Sequence, residues 1–251
     1  MKSIKNKQVG YYEIYGINGC YNIYNAKKIQ IINIDLMQGS NAEKKTWIKE
    51  LLKNKKIHVQ RMSKDFFLKK YPNKRTQGIV IKFKGKVIKT QVSLSNNENS
   101  CYLAMNNIED PQNFGQIIRT AECAGIDGII FPENKNAQIS DSVLQVSQGA
   151  FLNIPLYLCG NLHQELRKLK ANGFWIIGVE NSIQAKYWCE FSFNRRLIIV
   201  MGSEGKGLSP LIKKTCDELI TIPMQGKTNS LNVSSATSII LFERLRQVHR
   251  N

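Results

Sequence analysis

Two hydrophobic rhythms take turns along this chain. Lys28–Ile34 alternates apolar and polar residues with the two-residue period of a half-buried strand, and Gly78–Phe83 is a second apolar run of strand length. Between them, Asn41–Asn54 carries Ala42, Trp47, Ile48, Leu51 and Leu52 on one helical face and Lys44, Lys45, Lys49 and Lys53 on the other. Tyr12–Gly16 opens this first group, Ile57–Gln60 adds a short strand, and Ser63–Lys70 reads as a helix with Ser63 at its N-cap. Residues 85–100 keep no sustained period and end in a polar, turn-prone stretch, so they read as a linker.

From Cys101 the rhythm changes to short apolar runs that alternate with helical ones. Tyr102–Met105, Gly128–Phe131, Leu156–Leu158, Trp175–Val179, Leu197–Met201 and Leu219–Ile222 read as strands. Asn113–Ala124 (closed by Gly125), Asp141–Gly149 (capped by Ser140), Leu162–Asn172 and Val233–Leu245 read as helices. Such alternation predicts an α/β domain, a parallel sheet with helices on both faces. The expected organisation is a small α/β domain over residues 10–84, a linker over 85–100 and a larger α/β domain over 101–251.

Charge sharpens that division. The first 90 residues hold 21 Lys and Arg against 5 Asp and Glu, a net of +16; the remaining residues hold 15 against 14, a net of +1. A basic module joined to a nearly neutral one suggests that the first part grips a polyanion while the second does something else. The basic residues gather at Lys53–Lys56, Lys69, Lys70, Lys74 and Arg75. No run of eighteen apolar residues offers a membrane span, and the N-terminus has no apolar signal region, so the expected location is cytoplasmic. Six cysteines lie scattered without a C-x-x-C pair, and the three histidines stand apart, so neither a disulfide frame nor a metal centre is expected.

The candidate chemistry lies in two loops, 202–207 and 223–232, each leaving the end of an apolar strand and each rich in Gly, Ser and Asn. Such residues let a backbone approach a ligand closely, and paired loops at the carboxyl edge of a parallel sheet make a small-molecule cleft. Gly202–Gly207 lacks the G-x-G-x-x-G order of a dinucleotide fingerprint. Gly226-Lys227-Thr228 is not a phosphate loop, because Thr221 stands where a Walker A sequence needs glycine.

Three motifs in order nevertheless resemble one family. Asp110-Pro-Gln-Asn113-Phe-Gly115 with Arg119 matches D-P-x-N-x-G-x-x-x-R; Gly202-Ser-Glu204-Gly205-Lys-Gly207-Leu208 and then Ile222-Pro-Met224 with Ser230-Leu-Asn232-Val-Ser234 follow. Together they resemble the SpoU/TrmH branch of the SPOUT RNA methyltransferases, and within it the type that 2′-O-methylates a guanosine of large-subunit ribosomal RNA. The resemblance implies S-adenosylmethionine as cofactor, RNA as partner, a homodimer, and a deep C-terminal trefoil knot through which Val233–Leu245 would pass. It also implies an L7Ae-like RNA-binding module before the linker. Tyr15–Asn18 and Thr76–Ile79 match that module's signatures, although Asn18 and Thr76 stand where histidine is common.

Under this resemblance Gly202, Ile222 and Leu231 offer backbone groups to adenine, with Ile222, Met224 and Leu231 as apolar walls. Asn232 and Ser234, at the start of the last helix, suit a polar or anionic group. Arg119, six residues after Asn113 and near one face of the same helix, is the leading catalytic candidate. A guanidinium is a poor base, so holding a substrate phosphate and orienting the hydroxyl suits it better; the plain alternative is a surface arginine paired with Glu122. Asn113 either caps its helix or reaches the ribose. Glu204 is a base partner, an anchor for Arg119 or a cap for the next helix, and Asp110 shapes the turn before the Asn113 helix. A non-catalytic RNA-binding protein and a transfer RNA ribose methyltransferase are the competing readings.

Overall fold

A computed structural model describes residues 10–53, 57–182, 185–203 and 205–249. Residues 54–56 of the basic run and Glu204 lie outside them. Two sheets organise the chain. The first is built from β1 (Gly10–Tyr15), β2 (Ile29–Met37), β3 (Val59–Met62) and β4 (Ile79–Gly85), in the order β1-β4-β2-β3. Helices α1 (Ile17–Asn25), α2 (Thr46–Lys53) and α3 (Lys64–Lys70) connect its strands.

Some of these elements differ from the sequence reading. Ile17–Asn25 was not expected to be helical, since INGCYNIYN is rich in Gly and Asn, poor helix formers. Tertiary contacts override that preference: Gly19, Cys20 and Ile23 are buried, and Gln77 Oε1 accepts the Ile17 N–H at 2.8 Å. The helix expected from Asn41 starts only at Thr46, because residues 41–45 form turns in which Ala42 is buried without helical repeat. Strand β2 runs past Ile34 to Met37, with a register shift between Ile31 and Asn33; Ile34, Asp35 and Leu36 are all buried because Ile34 and Leu36 enter the core while Lys70 and Tyr71 cover Asp35 on the other face. The Ser63 cap is as read, its side chain accepting from Phe66 N–H.

Asp35 is the buried charge of this sheet, 1 % exposed, and its carboxylate accepts from Lys70 Nζ at 2.6 Å, from the Tyr71 hydroxyl and from Asn33 Nδ2. Desolvation raises its pKa, but the three donors and the Lys70 charge outweigh it and hold the carboxyl below its usual value. A depressed folded pKa means that stability is present above the unfolded value, about 3.9, and is lost as pH falls through the lower folded one. Asp35→Asn should therefore destabilise the protein at pH 7, and the gap from wild type should shrink below about pH 4. Urea unfolding at both pH values measures this, and a pH-independent gap would show that the ionised carboxylate is not the stabilising species.

The second sheet has eight strands, all parallel, in the order β10-β12-β9-β11-β6-β7-β8-β5. They are β5 (Ile88–Lys89), β6 (Cys101–Met105), β7 (Gly128–Pro132), β8 (Leu156–Cys159), β9 (Trp175–Val179), β10 (Lys186–Tyr187), β11 (Leu197–Met201) and β12 (Glu218–Thr221). Its helices are α4 (Pro111–Cys123), α5 (Asp141–Val146), α6 (Leu162–Ala171), α7 (Pro210–Thr215) and α8 (Val233–His249). Central strands such as Leu197–Met201 are buried throughout, as a sheet covered on both faces requires. Strand β5 lies inside the stretch read as a linker and pairs with β8, while Tyr102 Oη donates to the Ser93 carbonyl and accepts the Ser95 N–H. A two-residue edge strand is too short to show a period, so the sequence hides it. Among the described residues no helix is long and apolar enough to cross a membrane.

The two sheets meet along α5. Gln145 presents its amide to strand β1 as another strand would: Oε1 accepts the Tyr15 N–H and Nε2 donates to the Tyr15 carbonyl, both at 2.9 Å. Asp141 Oδ1 accepts the Glu13 N–H at 2.9 Å, Asn22 Nδ2 donates to the Gln148 carbonyl at 2.9 Å, and Phe83 stacks on Phe151.

Candidate active site

Strands β9, β11 and β12 deliver Val179, Met201 and Thr221 to one edge of the large sheet, and a cavity of about 300 Å³ opens there. Its walls come from the two loops singled out in the sequence. Gly202 forms part of one, and Ile222, Met224 and Leu231 form the apolar side of the other.

The loop after β11 is pinned across its base, with Ser203 N–H donating to the Gly207 carbonyl at 3.2 Å and Gly207 N–H to Ser203 at 3.0 Å. Gly205 and Gly207 turn it with φ of +78° and +60°. Glu180, directly after β9, lines the cavity and clamps the loop: Oε2 accepts the Leu208 N–H at 2.8 Å and Oε1 accepts from the Lys213 ammonium at 2.7 Å. A Cβ on Gly207 would lie 2.5 Å from that carboxylate. Sequence reading missed Glu180, which belongs to no glycine-rich motif; its position just past a strand at the carboxyl edge was the available signal. Asn106 was missed for the same reason, and its Oδ1 accepts the Ser209 N–H at 2.8 Å.

A second cavity of about 560 Å³ adjoins the first, and the two share Ser203, Lys206 and Val233. Asn113 lines it, 9 % exposed. The α4 cap is Asp110, whose side chain accepts from the N–H groups of Gln112 and Asn113, so Asn113 keeps its amide for other partners. Asn232 Nδ2 donates to Asn113 Oδ1 at 2.9 Å, joining residues 119 apart in sequence. Asn232 Oδ1 accepts the N–H of Ser234 at 2.9 Å and of Ser235 at 3.4 Å, so the same side chain starts α8. The Ser234 hydroxyl turns to Asn232 Oδ1 at 2.6 Å, and the first cavity is lined instead by Val233 and Ala236.

Arg119 lies elsewhere. Six residues are about 1.7 helical turns, which leaves it roughly 120° around α4 from Asn113 rather than near the same face. It is exposed, on a stripe with Gln112, Gln116 and Cys123, and is not among the described residues lining either cavity. Among the described residues no ion pair joins it to Glu122, whose Oε1 accepts from Asn153 Nδ2 at 2.9 Å instead.

This arrangement can be set beside known proteins. A model described as the SpoU rRNA Methylase family matches residues 100–242, more than half of the chain. The chain belongs to the SpoU rRNA methylase family. As a SpoU methylase it is an enzyme, and its motif loops are those that frame the two cavities. A 23S rRNA (guanosine-2′-O-)-methyltransferase of Shewanella oneidensis is 33 % identical over 238 residues, covering 93 % of this chain and 96 % of that one. A putative TrmH family tRNA/rRNA methyltransferase of Staphylococcus saprophyticus is 41 % identical over 148 residues, 59 % of each chain. Among solved structures, the SpoU methyltransferase AviRb of Streptomyces viridochromogenes, in complex with AdoMet, superposes with a TM-score of 0.80 at 20 % identity, covering 96 % of this chain and 92 % of that one.

Proposed function

We propose that this SpoU methylase transfers a methyl group from S-adenosylmethionine to the 2′-hydroxyl of a guanosine in large-subunit ribosomal RNA. The carrying observation is the pair of contiguous cavities, with Asn113 on the wall of the second and its hydrogen-bond partner Asn232 next in sequence to the shared Val233. The first suits the cofactor: apolar walls from Ile222, Met224 and Leu231 and a tight glycine loop frame a cavity of about 300 Å³. S-adenosylmethionine, when bound, supplies a methyl group activated by its sulfonium. The residues of the chain then align the hydroxyl, exclude water and receive a proton. Asn113 and Asn232 are the orienting amides on the ribose side, and Glu204 is the proposed partner for the proton. Ser234 acts by setting Asn232. Alignment of two reactants is worth up to about 7–11 kcal/mol of barrier, so positioning groups suffice for much of the rate.

The basic first 90 residues, read as an L7Ae-like domain over 10–84, hold the RNA. We read the path into α8 as the family's trefoil knot. A second copy of the chain completes the assembly; the outward stripe of Arg119 and the exposed Phe242 on α8 support that reading, because both face away from this chain's own cavities.

The test is methyl transfer to RNA from a strain lacking the protein, with the labelled ribose mapped. Label at one guanosine of the large-subunit RNA is expected. Label confined to transfer RNA would replace the proposed substrate, and cofactor binding without any transfer would favour the non-catalytic reading. RNA affinity should fall with salt at a slope near −0.7 per single-strand phosphate neutralised, and a fragment of residues 91–251 with the same affinity and slope would remove the grip from the first domain.

A further inference from the structure

The second cavity holds a residue that no motif predicts. Lys135 lies on its wall, in the loop after β7, with a φ of +56°. A non-glycine residue in this left-handed region costs conformational energy and persists only where its surroundings impose it. Here they do. Asn136 Oδ1 accepts the Ile108 N–H at 3.0 Å, Ala137 N–H donates to the Ile108 carbonyl at 2.7 Å, and Gln138 Nε2 donates to the carbonyls of Pro132, Glu133 and Asn136. The loop is thus stapled to the segment that leads into α4 and aims one exposed ammonium group at the cavity.

Lys206 reaches the same cavity from the loop after β11 and also lines the first. Among the described residues neither lysine has an ion pair. Two carboxylates share the wall, Glu109 and Asp110, and Asp110 is committed to the amides of Gln112 and Asn113. Two ammonium groups from separate loops therefore flank a space of nucleotide size beside Asn113. A compact ammonium on a long stem suits a phosphate as a point charge.

We infer that Lys135, with Lys206, grips the phosphate next to the target ribose and so fixes the 2′-hydroxyl at the junction of the cavities. The inference rests on the proposed reaction and makes Lys135 a positioning residue for it.

Lys135→Gly is the informative variant, because glycine relaxes the backbone while deleting the amine. The probe is a synthetic hairpin containing the nucleotide that wild type methylates, made with normal phosphates or with one uncharged methylphosphonate linkage beside that nucleotide. Lys135→Gly should be at least as heat-stable as wild type, bind S-adenosylmethionine normally and raise KM for the normal hairpin about tenfold, with its salt slope lower by about 0.7. Lys135→Arg should restore most of the loss. The uncharged linkage should weaken wild type by a similar factor and leave Lys135→Gly almost unchanged. A KM within twofold of wild type, or losses that multiply when variant and linkage are combined, would overturn the phosphate grip. Wild type that methylates no RNA counts against the proposed reaction instead, and the salt slopes of binding to a ribosomal RNA hairpin still decide the grip.

Discussion

Arg119→Ala should lower single-turnover methyl transfer by at least about a hundredfold while leaving the fold and S-adenosylmethionine binding intact. The fold should survive because Arg119 is exposed on α4, between Ile118 and Ala121, which carry the packing. Cofactor binding should survive because Arg119 lies off the wall of the first cavity. The loss is expected through the proposed second copy: Arg119 lines neither cavity of its own chain, so its outward guanidinium would hold substrate with its planar fork at the cavities of the partner. Arg119→Lys divides charge from geometry: the ammonium keeps the charge but loses the planar fork, so RNA affinity should recover more than turnover does. Rates within about twofold of wild type for Arg119→Ala, only about 0.4 kcal/mol of barrier, would end the catalytic assignment.

Gly202→Val should abolish cofactor binding, and Gly202→Ala should already impair it severely. Side-chain bulk in the cavity is not the reason. A Cβ at Gly202 would lie 2.4 Å from the Gly207 carbonyl carbon and 2.6 Å from the Leu208 nitrogen, both backbone atoms. The strand end and the returning loop touch where only hydrogen fits, and Glu180 holds that return in place. Any side chain must therefore push the two loop ends apart and undo the bridge between Ser203 and Gly207. Calorimetric titration with S-adenosylhomocysteine measures this, and binding by Gly202→Ala as tight as wild type would show that the contact is not required. Gly205→Ala is the control, since a Cβ there meets nothing within 4 Å and only the φ of +78° is strained.

Much of the sheet bearing this site was legible in the sequence because its strands are continuous apolar runs and helices such as α4 and α6 are amphipathic. Leu197–Met201 and the helix from Val233 lie where the pattern puts them, although α8 continues to His249. The first sheet was less legible, and α1 is the instructive case. Its local sequence disfavours a helix, and only Gln77 and the packing of Cys20 and Ile23, both distant from the pattern, impose one. At the site, glycine loops and motif asparagines advertise themselves, whereas Glu180 and Asn106 act through contacts 28 and 103 residues away, and the loop of Lys135 is held by Asn136 through one 28 residues away, with segments that no local period relates to them. The helical angle between Asn113 and Arg119 was available from geometry alone, and it sets them apart.

Gln145 spans the two sheets by imitating a strand, with both of its amide hydrogen bonds on one residue, Tyr15. Asp141 and Asn22 add bonds on either side. A joint made of paired, directional bonds resists sliding more than a single contact does, and it ties the basic sheet to the sheet that carries the paired cavities. An RNA seated on the basic sheet then offers only the nucleotide that its own folded shape carries across that joint. Under the proposed grip of the first domain on RNA, target choice would become a measurement of distance, made by a ruler whose divisions are cut in backbone amides.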